Sequence, residues 1–141
     1  MNIRVPIPVK MVITSSSKTE KFDDIQFKMN QIHKELEQLQ FQQKKLFINV
    51  KKKGIEAINE VQQRMDYEFK RRQEMLEVLT EQYKQWEKLE EGDEIYYSTV
   101  EAEIDIEVGF SWEDIQRQEI VIRDGVIIEI RGGYLNGNPI Y

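Results

Sequence analysis

The sequence lacks cysteine altogether and contains a single histidine, His33, in 141 residues. Without cysteine there are no disulfides, thiolate metal ligands or cysteine nucleophiles, and one histidine excludes most zinc and triad chemistry. No apolar run approaches the roughly 20 residues that span a bilayer. The N-terminal segment contains two prolines where a signal peptide has a continuous apolar core. We therefore expect a soluble, cytoplasmic protein that does not enter a membrane.

Catalytic motifs are missing as well. The glycines form neither a P-loop nor a GxGxxG pattern, and the acidic pairs Asp93-Glu94 and Glu113-Asp114 lack the partner residues of a hydrolase. Alternate acids of the run Glu101–Glu107 lie roughly 7 Å apart on a strand, which is too far to share one cation. We interpret this run as a solvated strand face and His33 as a partly exposed structural residue. We therefore expect no enzymatic activity, no cofactor and no metal site.

Charge is unevenly distributed along a chain whose formal net charge is -6. Residues 1–19 carry a net charge of +3, residues 20–91 carry -1 and residues 92–141 carry -8. An acidic chain is not attracted as a whole to nucleic acid or to an anionic membrane. Contact with phosphate groups would therefore require a local cluster of bases.

Residues 3–13 alternate between apolar and mostly polar side chains, which is the period of a half-buried strand. Pro6 and Pro8 lack N–H groups on the same edge of that strand. We therefore predict that residues 1–16 form an N-terminal edge strand of a β-domain. The alternative is a Pro-rich arm that pairs with nothing.

Residues 17–91 have apolar residues at the alternating three- and four-residue spacing of a coiled coil. The heptad positions a and d hold Phe22, Ile25, Met29, Ile32, Leu36, Leu39, Leu46 and Val50 in a first run, and Ile55, Ile58, Met65, Phe69, Leu76, Leu79, Tyr83 and Trp86 in a second. Gln43, Gln62 and Arg72 interrupt the pattern. Ser17 followed by Glu20 predicts a capping box at the start of the first helix.

The heptad phase slips between Val50 and Ile55, where the sequence reads KKKG. Lysine favours the carbonyl end of a helix and glycine commonly follows it, so we predict a turn near residues 51–54. Two antiparallel arms of roughly 50 Å would return the chain to its first strand. The alternative is one continuous helix, which requires strand exchange with a second subunit.

Residues 92–131 have the pattern of a C-terminal β-domain, followed by a flexible tail at residues 132–141. Val100–Val108 alternates apolar residues with acids, and Ser111 is placed to cap a single helical turn. Asp124-Gly125 between two β-branched runs predicts a hairpin. The predicted fold is therefore α+β, with a long antiparallel coiled-coil helical hairpin and a small antiparallel β-domain formed by the N-terminal strand and the C-terminal strands.

Two surface features of the helical segment indicate binding. The first is a group of bases near the predicted turn, a possible contact for phosphate or for a partner: Lys44, Lys45, Lys51, Lys52, Lys53 and Arg64. The bases also have a simpler interpretation, in which they solubilise the turn and cap the first helix. The second is a set of apolar residues outside the a/d seam, three at heptad position f and one at e: Phe27, Phe41, Ile48 and Phe47. Apolar side chains at these positions predict a contact between subunits of a homo-oligomer.

Three stretches of the sequence resemble the YlqD family of small bacterial proteins. They are the N-terminal strand, the segment QLQFQQKKL, and the ending TVEAEIDIEVGFSWED…IVIRDGVIIEIR. The resemblance covers about residues 5–131 and is most specific at Gln38–Leu46 and Ile120–Arg131. It implies no assigned activity and no site residues. The Gram-positive members are commonly encoded beside ribosome-maturation proteins, which implies a role linked to translation.

These observations predict a non-enzymatic structural or protein-interaction protein that self-associates and presents a coiled-coil arm to a protein partner. The alternative is a ribosome- or RNA-associated factor that contacts phosphates through the lysine-rich tip of the hairpin. A holdase with an aromatic-rich coiled coil is a third hypothesis. The identity of the partner, the number of subunits and a possible exchange of arms between subunits stay open at this point.

Overall fold

The computed structural model describes residues 1–132 and, beyond them, the backbone of residues 134–135 and 138–139. The elements in chain order are β1 (Asn2–Val12), α1 (Ser15–Val50), α2 (Ile55–Lys88), β2 (Glu94–Asp105), α3 (Trp112–Gln116), β3 (Glu119–Arg123), β4 (Val126–Arg131), β5 (Tyr134–Leu135) and β6 (Asn138–Pro139). The short strands β5 and β6 pair with each other in an antiparallel manner. Most of the tail predicted to be flexible lies outside the described residues, so that flexibility stays a prediction.

The predicted α+β class is confirmed, and the chain forms two compact units. One unit comprises Met1–Lys18 together with the described residues from Leu89 onward, so the N-terminal strand and the C-terminal strands do form a common β-domain. The other unit, Thr19–Lys88, is the helical hairpin, and the break between its helices lies at residues 51–54 as predicted. No helix in the described part of the chain is both long and apolar enough to span a bilayer.

The main sheet is mixed, which corrects the prediction of a purely antiparallel β-domain. Its strand order is β2-β1-β3-β4. β1 runs antiparallel to β2 along its whole length but parallel to β3 over Val9–Met11, and β3 and β4 form an antiparallel hairpin. A parallel pair requires a long connection between its strands, and the chain between β1 and β3 contains α1, α2, β2 and α3.

The prediction of an edge strand is wrong for β1 as a whole, because β1 lies inside the sheet. Ile106 donates its N–H to Met1 O at 2.8 Å, and Met1 N donates to Ile106 O at 3.2 Å. Hydrogen-bonded pairs alternate along an antiparallel ladder. The backbone N–H and carbonyl groups of the odd β1 residues therefore point towards β2, and the backbone groups of the even residues, which include Pro6 and Pro8, point towards the opposite edge. β3 pairs with that edge only from Val9 onward, just after Pro8. The prolines, which lack N–H donors, therefore leave the first part of this β1 edge unpaired. They do not prevent β3 from pairing with the same edge beyond Pro8.

The core of the β-domain lies on the face of the odd β1 residues. Val5 and Ile7 pack with Ile104 of β2 and with Ile115 of α3, and all four side chains are buried. The short helix α3 begins after Ser111, whose side chain accepts a hydrogen bond from the Asp114 N–H, so the predicted cap is confirmed. α3 thus covers one part of the sheet with a single buried isoleucine.

The Asp124-Gly125 turn between β3 and β4 is also confirmed. Both residues have positive φ, 48° for Asp124 and 79° for Gly125. This is the backbone of the two-residue turn that matches the twist of the flanking strands, and glycine adopts it without a steric cost.

The start of α1 differs from the predicted capping box of Ser17 and Glu20. Thr14 accepts a hydrogen bond from the Ser17 N–H through its Oγ1 at 3.0 Å, and Ser17 Oγ accepts one from the Thr14 N–H at 2.9 Å. The reciprocal pair is therefore Thr14 and Ser17, three residues earlier than predicted. Thr14 Oγ1 also donates to Asp124 Oδ1 at 2.7 Å, which joins the helix start to the β3–β4 turn.

The two long helices pack through their predicted seam. Ile25, Ile32 and Leu79 form a buried cluster. Phe22 and Tyr83 lie beside it, with ring centroids 4.7 Å apart. α1 ends at Val50, and Gly54, with a φ of 98°, directly precedes α2 and accepts a hydrogen bond from the Ile58 N–H. Contacts between residues far apart in sequence confirm the helical hairpin.

One cluster of charges spans the β-domain. The guanidinium of Arg131, at the end of β4, forms a two-pronged hydrogen bond with Glu94 at the start of β2, and its Nη1 lies 2.8 Å from Glu94 Oε2. Glu129 and Glu119 also pair with Arg131, and Lys10 Nζ lies 2.9 Å from Glu119. The hydrogen bonds from Arg131 hold the pKa of Glu94 below its ordinary value. The cluster therefore links the two outermost strands of the sheet, β2 and β4.

Replacing Thr14 with valine should destabilise the protein by about 1 kcal/mol, because it removes the oxygen that caps α1. Replacing Glu20 with alanine should change stability by less than about 0.5 kcal/mol, because Glu20 is exposed and outside the cap. Urea unfolding followed by circular dichroism measures both. A larger loss of stability in the Glu20 variant than in the Thr14 variant would contradict this assignment and favour the Ser17–Glu20 capping box.

Arg131→Met should reduce the acid sensitivity of the β-domain. The pKa of Glu94 is lower in the folded chain than in the unfolded one. Ionised Glu94 therefore stabilises the fold at a pH above its ordinary pKa, and this stabilisation is lost as the pH falls through the lowered pKa. The melting temperature of the variant should therefore vary less between roughly pH 5 and pH 2. Glu101→Gln, which removes an exposed carboxylate from the same sheet, is the control and should keep the wild-type profile. Identical profiles for Arg131→Met and wild type would contradict the assignment.

Candidate functional site

The hairpin carries most of the candidate residues, and an ion pair fixes its two helices at mid-length. Arg72 stands at one of the predicted d positions that is not apolar. Its Nε lies 3.0 Å from Glu35 Oε2 on α1, and its Nη1 donates to Glu68 one turn away on α2. The hydrogen bond from Arg72 lowers the pKa of Glu68 below its ordinary value and raises that of Arg72. The interruption in the heptad pattern is therefore an interhelical ion pair.

Beside this ion pair the two helices leave a surface groove of about 510 Å³. Its floor is apolar, and its margins carry charged or amide side chains. The floor consists of Ile32, Met75, Val78 and Leu79, and the margins of Lys28, Gln31, Glu35 and Glu74. Met75 and Val78 are exposed although both are large and apolar. An apolar floor with polar margins is suited to an apolar side chain of a protein partner.

The apolar residues predicted to lie outside the seam on α1 are exposed, with one exception. Phe27 is 63% exposed, Phe41 61% and Ile48 68%. Phe47 is partly buried and contributes less to this surface. The Nζ of Lys45 lies over the Phe41 ring, 4.5 Å from its centroid, so the lysine covers part of the ring face. We call Phe27, Phe41 and Ile48 the outer stripe.

The six bases of the tip are all exposed. Lys51, Lys52 and Lys53 form the turn itself, Lys44 and Lys45 lie in the last two turns of α1, and Arg64 lies about 14 Å along α2 from its first residue. Within residues 1–132, none of them forms an ion pair with a carboxylate. Their side chains are therefore available to anions.

The backbone at the turn satisfies the end of α1. The Lys51 N–H donates to Phe47 O at 3.2 Å, and the Lys53 N–H donates to Val50 O at 2.8 Å. Capping thus uses main-chain groups of the lysines, and their charges lie beyond the last turn of the helix. The turn does not need lysine side chains for these bonds.

Sequence reasoning missed the groove as a unit. Met75 was recognisable at heptad position g, where it widens the seam, but Val78 has no place in an a/d pattern. The groove lies between four residues of α1 and four residues of α2, and Met75 and Val78 belong to the second group. A search for apolar residues at both g and c of one helix would have detected it.

The structure also locates the residues that the sequence analysis considered as possible metal ligands. His33 and the acids of β2 are exposed. Among the described residues, no group of three or more histidine, aspartate or glutamate side chains comes together in a way that could hold a metal ion.

A helical hairpin inserted between the first strand and the remaining strands of a mixed four-stranded sheet defines the class of protein. The family model described as YlqD protein matches residues 1–131, and the chain belongs to this family. A similar solved structure is the crystal structure of a protein of unknown function from Synechococcus sp. WH 8102, with 25% sequence identity and a TM-score of 0.77. The match covers 93% of this chain and 96% of that one. A comparison with curated proteins gives no match.

Proposed function

We propose that this YlqD family chain is a non-enzymatic interaction protein that self-associates through its helical hairpin. The observation that carries the proposal is the outer stripe, three large apolar side chains that are each more than 60% exposed along one helix. Large exposed apolar side chains along one helix of a protein with 33% charged residues support a contact with another protein.

The groove supports a second copy of the chain as the occupant. One hairpin carries both apolar projections, at Phe27 and Phe41, and an apolar depression at Met75 and Val78. A two-fold contact needs both kinds of surface on one molecule, because each subunit then fills the depression of the other. Aromatic side chains that enter such depressions commonly dominate the energy of an interface.

The wild-type protein should have a mass of at least two chains by light scattering at tens of micromolar. Phe41→Lys combined with Ile48→Lys should lower that mass while helical content is retained, because the charges oppose burial of the outer stripe. Gln40→Lys with Asn49→Lys adds the same charge at neighbouring exposed polar positions and is the matched control. A monomeric wild type would refute self-association, and an equal loss of mass in the control would assign the effect to charge alone.

We propose as a second candidate that the hairpin tip contacts the phosphates of RNA, which would make the protein ribosome- or RNA-associated. The observation that favours it is the set of exposed tip lysines, none of which pairs with a carboxylate of residues 1–132. Lys51, Lys52 and Lys53 are consecutive and have no aromatic residue among them, so binding by the turn would be electrostatic and independent of sequence.

Substituting Lys51, Lys52 and Lys53 with glutamine tests this candidate. Stability should change by no more than about 1 kcal/mol, because each charge at a helix end contributes little. If the tip binds RNA, affinity for a ribosomal RNA fragment should fall steeply between 50 and 200 mM salt, and the log–log slope should decrease by about 0.9 per lost duplex contact. Glutamine at Lys70, Lys84 and Lys88 removes the same charge elsewhere on α2 and is the control. Undetectable binding by the wild type would eliminate the candidate.

A further inference from the structure

The half of β1 that carries the prolines is an open strand edge. The alternation set by the Met1–Ile106 pair directs the backbone groups of Asn2, Arg4 and Pro6 away from β2. β3 begins to pair only at Val9, and no other strand in the described part of the chain pairs with this stretch. Asn2 and Arg4 each present an N–H and a carbonyl there, and Pro6 presents a carbonyl alone.

A groove of about 580 Å³ lies along this open edge. Ile3, Arg4, Val5 and Pro6 line it from β1, and Trp112, Ile115 and Gln116 line it from α3. Trp112 is 61% exposed, although Ile115, one turn further along the same helix, is buried. A large aromatic ring is therefore held at the margin of a strand edge that has unused hydrogen-bonding groups.

We propose that this edge binds a short extended peptide segment of a partner protein by β-strand addition, with an apolar side chain of the peptide packed against Trp112. Main-chain hydrogen bonds to Arg4 and Pro6 would provide the affinity, and the Trp112 side chain would provide the selectivity. The open stretch of residues 2–6 is about 13 Å long, which limits the added strand to about five residues. This proposal is independent of the hairpin and of self-association.

A second copy of this chain fits the edge less well than a peptide does. Pairing β1 with another β1 would place a proline without an N–H in both strands of the ladder, and each proline would leave a carbonyl of the other strand without a donor. A peptide without proline supplies a donor opposite every carbonyl of the edge. Pro6 and Pro8 thereby act against association of two sheets while they leave a short site available.

The experiment selects peptides from a random 12-residue display library on the 141-residue chain and measures their affinity by titration calorimetry. Three variants separate the contributions. Trp112→Ala removes the aromatic wall, Arg4→Ala removes the side chain but keeps the backbone donor, and Arg4→Pro removes that donor on the side that β2 does not use.

Selected peptides should bind the wild type and Arg4→Ala within about threefold, and should lose tenfold or more with Arg4→Pro and with Trp112→Ala. N-methylation of alternate peptide amides should abolish binding in one phase of the alternation and not in the other, which tests strand addition even if Arg4→Pro does not fold. A library without binders, binders equally tight to all variants, or a tenfold loss with Arg4→Ala would overturn the proposal. Selection of peptides that match β1 itself would also overturn it, in favour of a second copy as occupant.

Discussion

The antiparallel ladder between β1 and β2 is the interaction on which the rest of the structure depends. It pairs Asn2 with Asp105 at one end and Val12 with Glu94 at the other, so the first strand of the chain pairs along its length with the strand that follows the helical hairpin. Everything between them must leave the sheet and return to it. The hairpin satisfies this constraint: α1 starts directly after β1, and the Nζ of Lys18 reaches the carbonyl of Leu89, where the chain re-enters the β-domain.

Patterns that act over a few residues were predictable from the sequence. The two long helices, the break at residues 51–54, the Asp124-Gly125 turn and the Ser111 cap follow from periodicity or from turn chemistry, and the structure contains all of them. The predicted cap of α1 lies three residues too late, because four consecutive residues carry side-chain oxygens that can cap a helix: Thr14, Ser15, Ser16 and Ser17. Thr14 became the cap because its hydroxyl also reaches Asp124, and no local rule contains that contact.

The order of strands was not predictable, since period-two alternation identifies which face of a strand is buried but not which strands lie beside it. The two prolines do restrict one edge of β1, but only at Pro6 and Pro8. The β1–β2 pairing has a register shift between Val9 and Lys10. β3 begins to pair with β1 at the same point, so from Val9 onward β1 has a neighbour on both sides. The ion pairs of Arg72 with Glu35 and of Arg131 with Glu94 join residues 37 positions apart and have no counterpart in local patterns.

The two candidate binding surfaces, the outer stripe of α1 and the open edge of β1, differ in the chemical groups that they present to a partner. The outer stripe of α1 consists of side chains, so its binding would depend on apolar area and would tolerate many partner sequences of similar shape. The β1 edge consists of main-chain groups, so its binding would depend on an extended partner with free amides. β4, which is one of the two outermost strands of the sheet, is apolar and exposed as well, but Val121 pairs with Glu129 and Ile122 with Ile127, which leaves Ile128 as an extra residue. Such a bulge interrupts the regular spacing of hydrogen bonds along an edge. The β1 edge beside Trp112 therefore combines regular backbone geometry with a side chain suited to hold a partner.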